Sequence, residues 1–227
     1  SRMVSVEKGN VTIMAKPNPN LISVLLVDDH EIVRLGFRRL IETTHDIKVV
    51  AEASSGEEAY QLVYDLKPDI TIMDINMPGI GGLEAIVRIC RRNPKARIIA
   101  LTVHETEPFP TRVLGAGAQG YLSKRCVPQE LILAIRKVHM GGTFITTQVI
   151  HEMNKTPGTE EDAISRLTAR EFQVFSMLAE GRTAMEIGED MNLSHKTIHS
   201  HRANVMKKLK LESSASIVQF AMLQGIV

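Results

Sequence analysis

From Leu21 to Met140 the chain alternates five times between a short apolar run and a segment of helical periodicity, and this alternation limits the available folds more than any other feature. Ile22–Val27 is apolar and ends at Asp28-Asp29. His30–Ile41 then places Val33, Phe37, Leu40 and Ile41 on one helical face. Ile47–Ala53 and Glu57–Leu66 repeat the pair, and Pro68 closes it. Ile70–Met73 ends at Asp74 and passes through the turn-rich Asn76–Gly82 into a helix at Leu83–Arg92. Arg97–Leu101 ends at Thr102, with a helix at Thr111–Ala118 after it. The short strand Tyr121-Leu122 ends at Ser123-Lys124, before a helix at Pro128–Met140. Runs that are apolar throughout are buried on both faces, which requires a parallel sheet covered by helices. The expected domain is a doubly wound α/β unit, flavodoxin-like (βα)5 with strand order 2-1-3-4-5.

Beyond residue 143 the strands stop. Asn154–Ser165 is polar, holds Pro157-Gly158 and an acidic run, and lacks periodicity, so residues 144–165 are expected to be a linker. Ile145–Met153 is expected as a short helix docked on the first domain. Thr168-Ala-Arg-Glu171 and Thr183-Ala-Met-Glu186 are capping boxes, and each opens a helix. Ser194 caps a third helix through Leu209, and Ser213 caps a fourth that ends at Gly225. Four helices, with the short turn Asn192-Leu193 between the second and third, predict a helix-turn-helix bundle over 166–227. The α/β unit occupies 21–143, and residues 1–20 are expected to be a disordered or expression-derived extension.

No apolar run approaches ~18 residues, which argues against a transmembrane helix, and the first residues lack the apolar middle of a signal peptide. Two cysteines, Cys90 and Cys126, cannot form a disulfide framework. The expectation is a soluble, cytoplasmic protein. Its 27 Lys+Arg balance 26 Asp+Glu, so net charge names no partner. Locally it does: His195–Lys210 carries Lys196, Arg202, Lys207, Lys208 and Lys210 with no acid, as contact with a phosphate backbone requires.

In a parallel α/β sheet, ligands bind beyond the carboxyl ends of the strands, where Asp28, Asp29, Asp74, Thr102 and Lys124 all fall. Three carboxylates brought together repel one another unless a cation relieves them. Hard oxygen donors favour Mg²⁺. Lys124 adds a mobile positive charge suited to a phosphoryl group, and Thr102 adds a hydroxyl. A carboxylate so placed can attack phosphorus and form an acyl phosphate. Taken singly, each residue has a blander use: Asp29 as a helix cap, Asp74 in the turn before Pro78, Lys124 solvated. Jointly these uses give no reason for such a set at successive strand ends.

With these residues the chain resembles two-component response regulators of the NarL/FixJ (LuxR-type) family, and residues 22–153 most resemble its GacA/UvrY/LetA group. The resemblance is carried by Val24-Leu-Leu-Val-Asp-Asp-His30, Met73-Asp-Ile-Asn-Met-Pro-Gly-Ile-Gly-Gly-Leu83, Pro108-Phe-Pro-Thr-Arg112 and Gly117-Ala-Gln-Gly-Tyr-Leu-Ser-Lys124. It implies a receiver domain in which Asp74 accepts a phosphoryl group from a sensor histidine kinase. Asp28, Asp29, Asp74 and the main-chain oxygen of Asn76 would hold Mg²⁺. Thr102 and Tyr121 would be the switch pair, the ring turning inward. Arg125 stands where many receivers have proline.

The third helix of the second unit has a capped start, small or polar residues early and basic residues to its end, as a helix entering the DNA major groove requires. Ile198, Val205, Met206 and Leu209 would face the bundle, and Lys196, His199, Ser200 and Ala203 the outside. Leu167-Thr-Ala-Arg-Glu171, Ala179-Glu-Gly-Arg182, Glu186-Ile187, Leu193-Ser194, Lys196-Thr-Ile198 and Lys208-Leu209 match the LuxR-type pattern. That match implies base contacts from His199, Ser200 and Ala203 on double-stranded DNA. It implies phosphate contacts from Lys196, Thr197, Arg202 and Lys207, and homodimerisation through Ile217, Phe220 and Ala221. Family behaviour implies a receiver that masks the recognition helix until phosphorylated. The expected protein is a regulator without catalytic turnover. A Mg²⁺-dependent phosphohydrolase with an aspartyl nucleophile is the competing reading, weakened because Asn76 stands where such enzymes place a second aspartate. A flavin- or nucleotide-binding module is weaker still, since Asp28-Asp29 would repel a phosphate there.

Overall fold

The structure is a computed structural model and describes residues 21–104, 108–147, 149–150 and 161–227. The expectation for residues 1–20, and those for 151–160 of the linker, lie outside the described residues. The first domain runs β1 (Ile22–Val27), α1 (Glu31–Ile41), β2 (Ile47–Ala53), α2 (Gly56–Leu66), β3 (Ile70–Asp74), α3 (Gly81–Arg92), β4 (Ile98–Thr102), α4 (Phe109–Gly115), β5 (Gly120–Ser123), α5 (Pro128–His139) and β6 (Phe144–Ile145). The strands form one six-stranded sheet in the order β2-β1-β3-β4-β5-β6, every pairing parallel.

Alternate residues of each strand point to opposite faces, and two helical layers take them up. Val24, Leu26, Ile70, Ile72, Ile99 and Leu101 meet Ile41 of α1 and Leu131, Ile135 and Val138 of α5. Leu25, Val27, Met73 and Ala100 meet Ala59, Leu62 and Val63 of α2, Ile86 and Ile89 of α3 and Val113 of α4. Each fully buried aliphatic side chain contributes about 1.5–3 kcal/mol by leaving water. The edge strand β2 departs from the expected all-apolar pattern: its residues alternate between buried and half-buried, with Lys48, Val50 and Glu52 in the less covered positions.

Two corrections fall between the domains. The expected helix at 145–153 and the linker at 144–165 begin instead with β6, whose Phe144 and Ile145 pair with Gly120 and Tyr121. The apolar pair at Phe144–Ile145 finds an open sheet edge at β5, and an unpaired edge is costly to leave bare. Residues 147 and 149–150 are helical, and Val149 is buried. The linker's last residues are also ordered as a helix, α6 (Glu161–Ser165), because Ile164 packs into the core beside Leu167, Phe172 and Phe175.

The second domain continues with α7 (Ala169–Ala179), α8 (Ala184–Met191), α9 (His195–Leu209) and α10 (Ser214–Leu223). Both expected capping boxes are present at Thr168/Glu171 and Thr183/Glu186. Ser194 and Ser213 cap α9 and α10 by accepting from Thr197 N and Ser216 N; such caps are worth about 1 kcal/mol each. Val174, Ile187, Met191 and Ile198 close α7, α8 and α9 around one small core. The buried Glu171 carboxylate receives Lys208 Nζ at 2.5 Å, which ties α7 to the end of α9.

Ile217 and Ala221, expected at a dimer surface, are instead 1% and 0% exposed. They pack into the core with Phe172, Phe175 and Val205, and Phe220 packs against the same cluster. The helix needs its apolar stripe for its own domain. The large apolar side chains it leaves in solvent are Met222 and Leu223.

Candidate functional site

β1 and β3 lie side by side, Val27 opposite Met73, so Asp28 and Asp74 emerge from neighbouring strand ends. Both carboxylates are 1% exposed. Ligand oxygens of Asp28, Asp29 and Asp74, with a ring nitrogen of His30, all lie within 4.8 Å of one another. From β5, Lys124 reaches into the cluster and places Nζ 2.6 Å from Asp28 Oδ2 and 2.8 Å from Asp74 Oδ2. Burial drives Asp74 upward, to a pKa of about 6; the Lys124 bond and charge pull it back, while Asp28 adds to the rise. On Lys124 burial alone would weaken the ammonium, but the bonds from Asp28 and Asp74 outweigh it and hold the lysine above its ordinary value.

The blander uses of these residues are realised in part. Asp74 Oδ1 accepts from Asn76 N at 3.1 Å, a turn-stabilising bond. Asp28 Oδ1 accepts from His30 N at 2.9 Å. Asp29 is not the cap of α1, since the N-cap is His30 and makes no side-chain cap bond. Asp28 Oδ2 is buried with the Lys124 ammonium as its close cationic neighbour, and the buried Asp29 Oδ1 lies 2.9 Å from His30 Nδ1. Carboxylate oxygens crowded in this way, with one lysine among three acids, are a donor set suited to a hard divalent cation.

The loop after Asp74 is fixed by two glycines. A Cβ on Gly82 would collide with the main-chain oxygen of Asp74 and lie 2.7 Å from Ile75 Cα, so α3 can begin against the strand end only through glycine. Gly79 adopts φ +72°, and Glu57 receives Ile80 N at 3.0 Å beside it.

Thr102 is fully buried at the end of β4, and its hydroxyl oxygen accepts from His104 N at 3.1 Å. Tyr121 lies inward, fully buried, and its hydroxyl donates to His104 O at 2.6 Å. His104 itself was not singled out from the sequence. Its ring nitrogen lies 2.8 Å from Asn76 Nδ2, and the ring stacks on Phe109 with centroids 3.9 Å apart. A lone histidine in a strand-to-helix loop carries no motif, so nothing short of the fold reveals it.

Phe109 continues into the second domain, meeting Phe172 edge-on at 5.2 Å. Phe172 then packs on Phe175, and Phe175 on Phe220. Each such pair is worth about 0.5–1.5 kcal/mol beyond its buried area. Arg112 of α4 donates to Ile164 O and Leu167 O, both at 2.7 Å, and its guanidinium covers the Phe172 ring at 4.3 Å. Its burial depresses its pKa to about 10. A cavity of about 250 Å³ lies between the domains, reaching from Asp29, Asn76 and His104 to Gln173 and Ser176.

On α9, Lys196, His199, Ser200, Ala203 and Lys207 are exposed and share the outward side, as expected. Thr197 and Arg202 are not free in the same way. Thr197 is half-buried and its hydroxyl pairs with the cap Ser194 at 2.8 Å. Arg202 is half-buried and donates to Ser214 Oγ. Among the described residues, hydrogen bonds between the two domains fall elsewhere than on this outward side. Through them the receiver meets α6, α7 and Asp190 of α8.

Residues 24–136 match the family described as response regulator receiver domain, and residues 165–221 match the luxR family of bacterial regulatory proteins. The chain is 42% identical over 209 residues to Response regulator UvrY of Escherichia coli (strain K12), covering 91% of this chain and 96% of that protein. It is 36% identical over 210 residues to Response regulator GacA of Pseudomonas aeruginosa, covering 91% and 98%. Among solved structures it is similar to RcsB from Salmonella enterica serovar Typhimurium bound to promoter rprA in the presence of phosphomimetic BeF3−. That match has a TM-score of 0.63 and 28% identity, and covers 88% of this chain and 98% of that one. No helix among the described residues is long and apolar enough to cross a membrane.

Proposed function

The chain belongs to the response regulators that join a receiver domain to a LuxR-type DNA-binding domain, and on that premise we propose that Asp74 is the phosphoacceptor through which a sensor histidine kinase controls binding to double-stranded DNA. The observation that carries this reading is the convergence of Asp28, Asp29, Asp74 and Lys124 at the carboxyl ends of β1, β3 and β5.

An Asp74 carboxylate oxygen attacks the phosphorus of a phosphohistidine; the O–P bond forms as the N–P bond breaks, and the imidazole leaves. Bound at Asp28, Asp29, Asp74 and the main-chain oxygen of Asn76, Mg²⁺ would offset charge on the phosphoryl oxygens. Lys124 already spans Asp28 and Asp74, so its ammonium can follow the transferred oxygens without leaving the site. The hydroxyl of Thr102 would turn from His104 N towards the new group. His104 would then shift against Asn76 and Phe109, passing the change to Phe172 and so to the DNA-binding domain.

The outward side of α9 would enter the major groove, with His199, Ser200 and Ala203 at base edges and Lys196 and Lys207 at phosphates. Thr197 and Arg202 would serve chiefly to hold that helix, given their bonds to Ser194 and Ser214. The homologous RcsB bound to a promoter supports the DNA reading. A dimer on α10 would use Met222 and Leu223, which are 62% and 72% exposed. Labelling with acetyl phosphate, with Asp74→Asn as control and followed by DNA binding, tests the whole reading.

A further inference from the structure

The start of α9 brings two histidines together in a way that neither the fold nor phosphoryl chemistry uses. His195 and His199 are one helical turn apart and both exposed. Their Nε2 atoms lie 3.2 Å from each other, with the rings edge to face at 4.3 Å between centroids and 79° between planes. We propose that this pair is a chelating site for a divalent transition metal of the zinc class, distinct from the acidic cluster of the receiver, and that its occupation blocks the DNA-reading end of the helix.

The argument is geometric. Zinc–imidazole bonds are about 2.0–2.1 Å long, so two nitrogens 3.2 Å apart subtend an angle of about 99–106° at a shared ion, close to tetrahedral. The spacing of the two nitrogens therefore already matches the bite of a chelate, and small ring rotations aim both lone pairs at one ion. In the neutral pair one Nε2–H donates to the other Nε2. On binding, that proton moves to Nδ1 of its own ring and both Nε2 lone pairs face the ion, with no net proton release. Imidazole nitrogens select zinc, nickel or copper over magnesium, which keeps this pair chemically apart from the carboxylates around Asp74.

The surroundings are mixed. Lys196 follows His195 directly, while Glu189 and Met185 line the same shallow depression as His195. The helix N-terminus opposes a cation, although Ser194 Oγ already engages Thr197 N there. Waters complete the remaining coordination positions. The effect on DNA rests on the reading of α9 as the recognition helix; the metal site does not.

The test titrates the full chain with zinc chloride in chelator-stripped buffer holding excess Mg²⁺, and follows each histidine by ¹H–¹⁵N correlation. The expected result is that His195 and His199 respond together, and that His195→Gln removes the His199 response and weakens this binding by about tenfold or more. Unmoved His195 and His199 signals, or equal binding by His195→Gln, overturn the site. In parallel, zinc should lower duplex affinity by about tenfold or more in the parent and leave His195→Gln unaffected. Zinc seated on the pair with duplex binding unchanged would uphold the metal site and count against α9 as the DNA reader.

Discussion

The main-chain N–H of Gly79 donates to the main-chain oxygen of Asp190 at 2.7 Å, joining the loop that leaves Asp74 to the end of the helix before the turn into α9. The Gly79 oxygen is held as well, accepting from Arg170 at 2.6 Å. The loop that must adjust when Asp74 gains charge is therefore the loop the DNA-binding domain grips. A hydrogen bond to a charged group is worth about 1.5–3 kcal/mol. Release of this grip should speed exchange of the Gly79 amide by about tenfold or more. Hydrogen exchange should show that acceleration on adding beryllofluoride, and in Arg170→Ala without it. Equal protection in all states would separate the loop from the signal.

Asp74 gives a pH dependence of definite sign. Its folded-state pKa rises from 3.8 to about 6, chiefly through burial. A raised acid favours the protonated folded form, so its contribution to stability is complete below 3.8 and lost as pH rises through about 6. Asp74→Asn should thus stabilise the metal-free protein at about pH 8, by up to about 3 kcal/mol, and lose that advantage by about pH 4. Urea titrations at the two pH values measure it. A variant less stable than its parent at the higher pH would contradict the electrostatic account.

Gly82 and Gly36 make a matched pair. A Cβ at Gly82 meets the backbone of Asp74 and Ile75, whereas one at Gly36 meets nothing within 4 Å. Gly82→Ala should cost about 1–3 kcal/mol through overpacking and slow phosphorylation by displacing the loop. Gly36→Ala, inside α1, should gain up to about 1 kcal/mol. Denaturant midpoints decide the point, and two variants of equal stability would refute the close approach.

On DNA the exposed residues divide by role. Lys196→Ala should weaken binding to every duplex alike and reduce the slope of log affinity against log salt by about 1. His199→Ala should instead change the preferred sequence. Anisotropy over a salt series and selection from random duplexes measure these separately.

The legible part of the protein was what periodicity and strand ends carry. All five α/β alternations and the four capped helices of the second domain form close to where apolar spacing and Ser/Thr caps placed them, although α4 runs Phe109–Gly115 rather than the expected Thr111–Ala118. Asp28, Asp29, Asp74 and Lys124 converge because each stands at or just beyond the carboxyl end of a strand of the same parallel sheet. What was not legible depended on partners far along the chain. β6 exists because β5 offers it an edge. Ile217 and Ala221 look like a surface stripe until Phe172 and Phe175 cover them. Arg112, His104 and Gly79 have no motif of their own beyond the family pattern; Arg112 and Gly79 take their roles from groups in the other domain, and His104 from rings and amides brought beside it by the sheet.

The central claim is that the buried carboxylate of Asp74 is the reactive one. Incubating the protein with acetyl phosphate and Mg²⁺, then locating the acyl phosphate by peptide mass spectrometry, tests it directly. The account predicts one hydroxylamine-labile phosphoryl group on the peptide carrying Asp74, absent from Asp74→Asn. An adduct of equal yield in that variant, or one placed on another residue in the parent, would contradict it.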